Sequence, residues 1–251
     1  MFRPRIIPVL LLKDLALVKS VRFRAHKYIG DPINAVRIFN ELKADELVFL
    51  DIQASREARL ISLDFVRNVG EEATMPFAVG GGIRSLDEIR SVIAAGAEKV
   101  VINTKAGLDP EFVRRAADEF GSTTIVVCID VKRKLFKGEL AWVLAGSCPT
   151  RFGPEELAVL MQQMGAGELI IQSIERDGTM TGYDLELIRS VSAAVTIPVI
   201  ALGGAGGKND LIEAYTKAKA NALAAGSMFV FQDEKRGVLI NYPERNELVF
   251  K

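Results

Sequence analysis

Short apolar runs rich in β-branched residues alternate along the chain with stretches whose apolar residues recur every three or four positions. The first pattern predicts buried strands, the second amphipathic helices. Strands are expected at Arg5–Leu12, Glu46–Asp51, Phe77–Val79, Lys99–Asn103, Thr124–Asp130, Glu168–Ser173, Val199–Leu202 and Asn221–Ala225. Helical periodicity falls at Ile33–Leu42, Leu86–Ala95, Glu111–Phe120, Pro154–Met164 and Leu185–Ala194. The strands are apolar almost throughout, which predicts a parallel sheet covered on both faces. Eight such units in 251 residues predict a closed (β/α)8 TIM barrel rather than an open doubly wound sheet. The barrel is expected to span residues 1–251 as one domain. Two long loops, about Lys13–Asp31 and Val131–Gly153, follow the first and fifth strands, and loops of that length are often functional.

The pattern repeats. Met75–Arg84 (MPFAVGGGIR) and Ile197–Gly206 (IPVIALGGAG) lie 122 positions apart, each a proline, an apolar run and a glycine cluster. Ala44–Ile52 matches Ala166–Ile174 at the same offset, Ala97–Thr104 matches Ala220–Ser227 at 123, and the first strand matches IVVCIDVK at 119. Four strands per half imply a duplicated half-barrel.

Composition narrows the partners. Lysine plus arginine equal aspartate plus glutamate at 32 each, and neither half is strongly basic, so nucleic acid is excluded as the expected partner. Two cysteines and one histidine make a metal site improbable and fit a reducing compartment. RIIPVLLL is too short for a signal peptide, and no apolar run reaches the length of a membrane span. A soluble cytoplasmic protein without cofactor is expected.

In such barrels the chemistry sits at the C-terminal ends of the strands. Asp51, Asn103, Thr104, Asp130, Ser173, Glu175, Asp177 and Ser227 stand there, and Lys19 lies in the first long loop. Gly81, Gly82, Asn103 and Thr104 form one candidate phosphate half-site; Gly178, Gly204, Gly226 and Ser227 form its partner. Glycines let backbone N–H groups approach an oxyanion, although the same glycines can simply make tight turns. Two such sites imply a substrate with a phosphate at each end. Asp130 ends an apolar strand, where burial would raise its pKa toward acid–base use; a salt bridge to Lys132 is the structural alternative. Its counterpart in the first half is Leu11, which carries no proton. Arg5, Glu46, Lys99 and Glu168 start four strands and can form a charged ring below the barrel or merely cap strand ends. His26 reads as a solvated loop residue, Cys128 as core, Cys148 as a loop thiol and Trp142 as packing under the second loop.

Together these motifs resemble the cyclase subunit of imidazole glycerol phosphate synthase, HisF, over essentially the whole chain. They include Arg5–Asp14, Gly30–Pro32, Ala44–Ile52, Val79–Ser85, Ala95–Thr104, Phe120–Arg133, Gly165–Ser192 (with ERDGT followed by GYD) and Ile197–Gly206. The resemblance implies a ribulose-phosphate-binding type of barrel. A glutaminase partner of the HisH type would release ammonia, which would pass a gate at Arg5, Glu46, Lys99 and Glu168 and rise through the core. At the top it would meet a bisphosphorylated ribulosyl substrate. Gly82, Asn103 and Thr104 would hold one phosphate and Gly178, Gly204 and Ser227 the other, with Lys19 in a mobile first loop and Asp130 in the acid–base pair.

The departures are specific. One of the family's two catalytic aspartates is Leu11, and losing an acid–base group costs ~10²–10⁴ in rate. The first loop reads KDLALVKS without the usual glycines, AGSCPT stands where a lysine-rich segment is common, and Gln172 and Glu175 replace a threonine and an aspartate. His26–Glu41 and Gly226–Pro243 are similar to a divergent branch associated with surface-polysaccharide biosynthesis. Those proteins pair with a glutaminase and a sugar amidotransferase that acts on nucleotide-linked sugars. The expected function is therefore channelling of ammonia for sugar amidination. An authentic cyclase of histidine biosynthesis and a non-catalytic activator of the glutaminase are the alternatives.

Overall fold

The computed structural model describes residues 3–232 and 237–250. Residues 233–236 of the Gly226–Pro243 motif lie outside the described residues. The strands are β1 (Arg5–Lys13), β2 (Ala16–Val21), β3 (Arg24–Gly30), β4 (Leu47–Asp51), β5 (Phe77–Gly80) and β6 (Lys99–Ile102). They continue with β7 (Ile125–Lys134), β8 (Gly138–Val143), β9 (Cys148–Pro149), β10 (Glu168–Ser173), β11 (Val199–Leu202) and β12 (Ala222–Ala225). The helices are α1 (Pro32–Glu41), α2 (Leu63–Glu72), α3 (Leu86–Ala94), α4 (Thr104–Leu108), α5 (Pro110–Phe120), α6 (Pro154–Gln163), α7 (Leu185–Ala194) and α8 (Lys208–Thr216).

Strands β1, β4, β5, β6, β7, β10, β11 and β12 pair in that order, each parallel to the next, and β12 returns to β1. This is the closed eight-stranded barrel that the apolar runs predict. Successive side chains of a strand point to opposite faces. On β1, Ile6, Leu10 and Leu12 join the outer layer under the helices, while Ile7, Val9 and Leu11 face the bore. The bore is also lined by Val48, Val101, Val126, Cys128 and Ile170, and by the small residues Ala78, Ala222 and Ala224.

The helices start where their side chains can satisfy free N–H groups. Asp31 accepts from Asn34 N at 2.8 Å ahead of Pro32, Ser85 and Glu88 form a capping box on α3, and Asp184 caps α7. Among the described residues no helix is long and apolar enough to cross a membrane.

The two segments expected as long loops are β-structure instead. Strands β2 and β3 extend β1 as antiparallel hairpins, and β8 and β9 extend β7 in the same way. Their turns lack the usual Asn-Gly or Asp-Gly signal. Asp14 and Leu15, then Arg22 and Phe23, take positive φ at both central positions, a conformation rarely adopted by such residues. Pairing along the strands holds them there.

Candidate functional site at the barrel mouth

Of the polar residues expected at the strand ends, Asp51, Asn103, Thr104, Asp130, Asp177 and Ser227 gather in two neighbouring hollows at the mouth, and Ser173 and Glu175 line neither. The first, of 320 Å³, is lined by Asp51, Gly81, Gly82, Asn103, Thr104 and Asp130. The second, of 20 Å³, is lined by Lys19, Asp177, Gly178, Gly204, Gly226 and Ser227. Leu11 and Gln172 border both and form the partition.

In the first hollow the glycines do more than turn the chain. A Cβ on Gly82, at φ +71°, would fall on the Arg59 carbonyl, and one on Gly81 would press on Asp51. Asn103 Nδ2 donates to Cys128 O at 3.0 Å and to Asp130 Oδ2 at 3.3 Å. Thr104 Oγ1 accepts from Leu144 N at 3.1 Å and donates to Asn103 Oδ1 at 3.3 Å. Asp51 meets Arg59 through both carboxylate oxygens, at 2.5 and 3.2 Å, and also accepts from Gln53 N and Ala54 N. Its acceptor capacity is therefore spent on holding the loop after β4. Arg59, which the sequence reading did not single out, is the organiser: it also pairs with Glu57 at 2.6 Å. Only its spacing of eight from Asp51 could have marked it.

Asp130, 5% exposed, lines the first hollow together with Leu11. Burial, reinforced by the charge of Asp177, pushes its pKa up to about 7, against the hydrogen bond from the Cys128 thiol at 3.5 Å. Among the described residues it forms no salt bridge. Lys132, the partner considered for it, instead lies 4.9 Å from the centre of the Trp142 ring. Trp142 belongs to β8, paired with Asp130, and donates from Nε1 to Lys132 O at 2.9 Å. His26, on β3, is exposed but lines the first hollow; burial and the nearby Lys13 and Arg56 cations lower its pKa.

The second hollow is the smaller one. Gly178 (φ +66°) and Gly204 (φ +107°) lie so close to Ser20 O and Gly182 O that neither could carry a Cβ. Asp177 accepts from Ser20 Oγ at 2.7 Å and Phe23 N at 3.2 Å, pinning the β2–β3 hairpin, and burial raises its pKa. Lys19 was expected in a mobile loop. It is a buried residue of β2 whose Nζ donates to Val9 O. Burial lowers its pKa to about 8 despite Asp177.

At the other end of the bore, the starts of β1, β6 and β10 and the residue before β4 bring four charges into a ring. Arg5 pairs with Glu46 and, at 2.5 Å, with Glu168, and Lys99 reaches the same two carboxylates at 3.1 and 3.2 Å. Although burial opposes its charge, the two glutamates raise the pKa of Arg5. No cluster of three or more potential metal ligands occurs among the described residues.

A closed parallel barrel with twofold-related glycine cradles at its mouth defines the class as a half-barrel-repeat (β/α)8 protein. The chain belongs to the histidine biosynthesis protein family, whose model matches residues 5–234. It is HisF-like along its length. A Pseudomonas aeruginosa protein provisionally named imidazole glycerol phosphate synthase subunit hisF2 is 44% identical over 248 residues, covering 99% of both chains. A Leptospira interrogans protein provisionally named as the HisF subunit is 40% identical, covering 98% of both. A Vibrio vulnificus protein provisionally named hisF3 is 39% identical, covering 98% of this chain and 95% of its own.

Proposed function

We propose that this protein is the synthase subunit of a glutamine-dependent amidotransferase. It takes ammonia from a HisH-like glutaminase at the floor and releases it at the mouth, for amidination of a surface-polysaccharide sugar in the cytoplasm, alongside a sugar amidotransferase. The observation that carries this reading is Leu11 at the position that repeats Asp130: this pair of strand-end positions supplies one carboxylate where ring closure needs two proton carriers. The floor ring supports it. Arg5, Glu46, Lys99 and Glu168 occlude the bore by contacts that a side-chain swing of Arg5 or Lys99 would open. Above them the lining is apolar, with alanines at three positions. Uncharged ammonia can traverse such a lining, and a hydrated ion pays heavily for desolvation.

The test is steady-state turnover of the bisphosphorylated ribulosyl substrate with free ammonia. The wild-type chain is expected to show none above background. Robust turnover by the wild type would reject the amidination reading in favour of a cyclase.

A further inference from the structure

The two cradles share one backbone and differ in what fills them. Asn103 in the first half corresponds to Gly226 in the second, 123 positions on, and Val9 corresponds to Cys128 at the offset of 119. The backbone agrees: φ and ψ are −117° and −75° at Asn103, and −110° and −72° at Gly226. In the first half the Asn103 amide donates to the carbonyl of Cys128. In the second, the Lys19 ammonium donates to the equivalent carbonyl of Val9, occupying the volume in which a Gly226 side chain would lie. Glycine at 226 is thus not required by its backbone angles; it makes room for Lys19.

The consequence is one of space. The second hollow's 20 Å³ holds about one water, which is no room for a phosphate. The hairpin that carries Lys19 is tied by Ser20 to Asp177 and packed against Gly178. The first hollow, of 320 Å³, is edged by Lys13 and Arg56; of its carboxylates, Asp51 and Glu57 share the one guanidinium of Arg59, and Asp130 has no ion pair among the described residues. We infer that the mouth takes a ligand with a single phosphate, a sugar-sized phosphate monoester seated against Gly82, Asn103 and Thr104, and that Lys19 stands in place of the second phosphate. This rests on the mouth being the acceptor site, but not on ammonia passing through the bore.

Calorimetric titration with ribulose 5-phosphate and ribulose 1,5-bisphosphate decides it, on the isolated chain and without ammonia or glutaminase. The two esters are expected to bind within about threefold of each other, and Thr104→Val to weaken both by about tenfold. The double variant Lys19→Met with Gly226→Asn, which recreates the first cradle in the second half, is expected to favour the bisphosphate by about tenfold. A wild-type preference of that size for the bisphosphate, no binding of either ester, or affinity indifferent to Thr104 overturns the inference. So does a folded double variant that behaves as the wild type. If that variant fails to fold, the wild-type ratio and Thr104→Val still decide. The ammonia reading survives any of these results, since turnover tests it separately.

Discussion

The floor and the mouth of this barrel have kept different parts of the same repeat. At the floor, Glu46 and Glu168 stand 122 positions apart, and each accepts from both Arg5 and Lys99. The two glutamates are twofold related there, whereas the cations that join them are not: the offsets carry Arg5 to Thr124 and Lys99 to Ala222. At the mouth the backbone is twofold related, down to the angles at Asn103 and Gly226, but the side chains are not: Leu11 repeats Asp130, and Lys19 fills one cradle only. A ring of charges works only if every member is present. A glycine loop needs only its path, so the side chains around it are free to take new roles.

If that distinction holds, the mouth should be least tolerant where its backbone is touched. Gly82→Ala puts a methyl group on the Arg59 carbonyl, a backbone atom that cannot step aside, at a φ of +71°. Overpacking and left-handed strain together should cost about 3 kcal/mol or more, read by urea denaturation. A loss below about 1 kcal/mol would show that the cradle path is soft.

At the floor the side chain itself should matter. Glu46→Gln keeps the shape but removes the charge, leaving Arg5 and Lys99 to share Glu168. Glu46 is 3% exposed, so the loss should approach that of charged hydrogen bonds, about 2–3 kcal/mol. It should persist at high salt, because a buried ring is poorly screened. Asp64→Asn, which removes an exposed pair with Arg67, gives the reference: about 0.5 kcal/mol, erased by salt. If the two variants behave alike, the ring adds nothing beyond surface charge.

The same distinction explains how much was legible in the sequence. Barrel strands are buried on both faces, so they appear as apolar runs, and their offsets expose the repeat. Glycine clusters and charged strand ends carry residue types with few other uses, which is why the cradles and the floor ring could be located. The hairpins were not legible. Turns at Asp14–Leu15 and Arg22–Phe23 are imposed by strand pairing rather than by turn-forming residues, so the segments read as loops. That in turn hid the burial of Lys19, which depends on the hairpin folding back over the mouth. Arg59 was hidden because a lone arginine after a strand is ordinarily a solvated charge.

The mildest test reverses the usual sign of a substitution. Asp130 is a buried acid whose folded-state pKa is about 7, above the ordinary 3.8, because burial disfavours its charge. The folded state therefore holds the proton more tightly than the unfolded chain. Whatever stability this lends is complete below about pH 4 and is lost as pH rises toward 7. At pH 8 the wild type carries the full cost of a buried anion with no ion pair among the described residues. Asp130→Asn never ionises, and its carbonyl can still accept from Asn103 Nδ2. It should thus be more stable than the wild type by on the order of 1–2 kcal/mol at pH 8, with the gain fading by pH 4. Thermal midpoints across that range check it. A variant less stable than the wild type at pH 8 would mean that Asp130 has an ionic partner when charged, and that the two halves of the mouth are more alike than the Leu11 substitution implies.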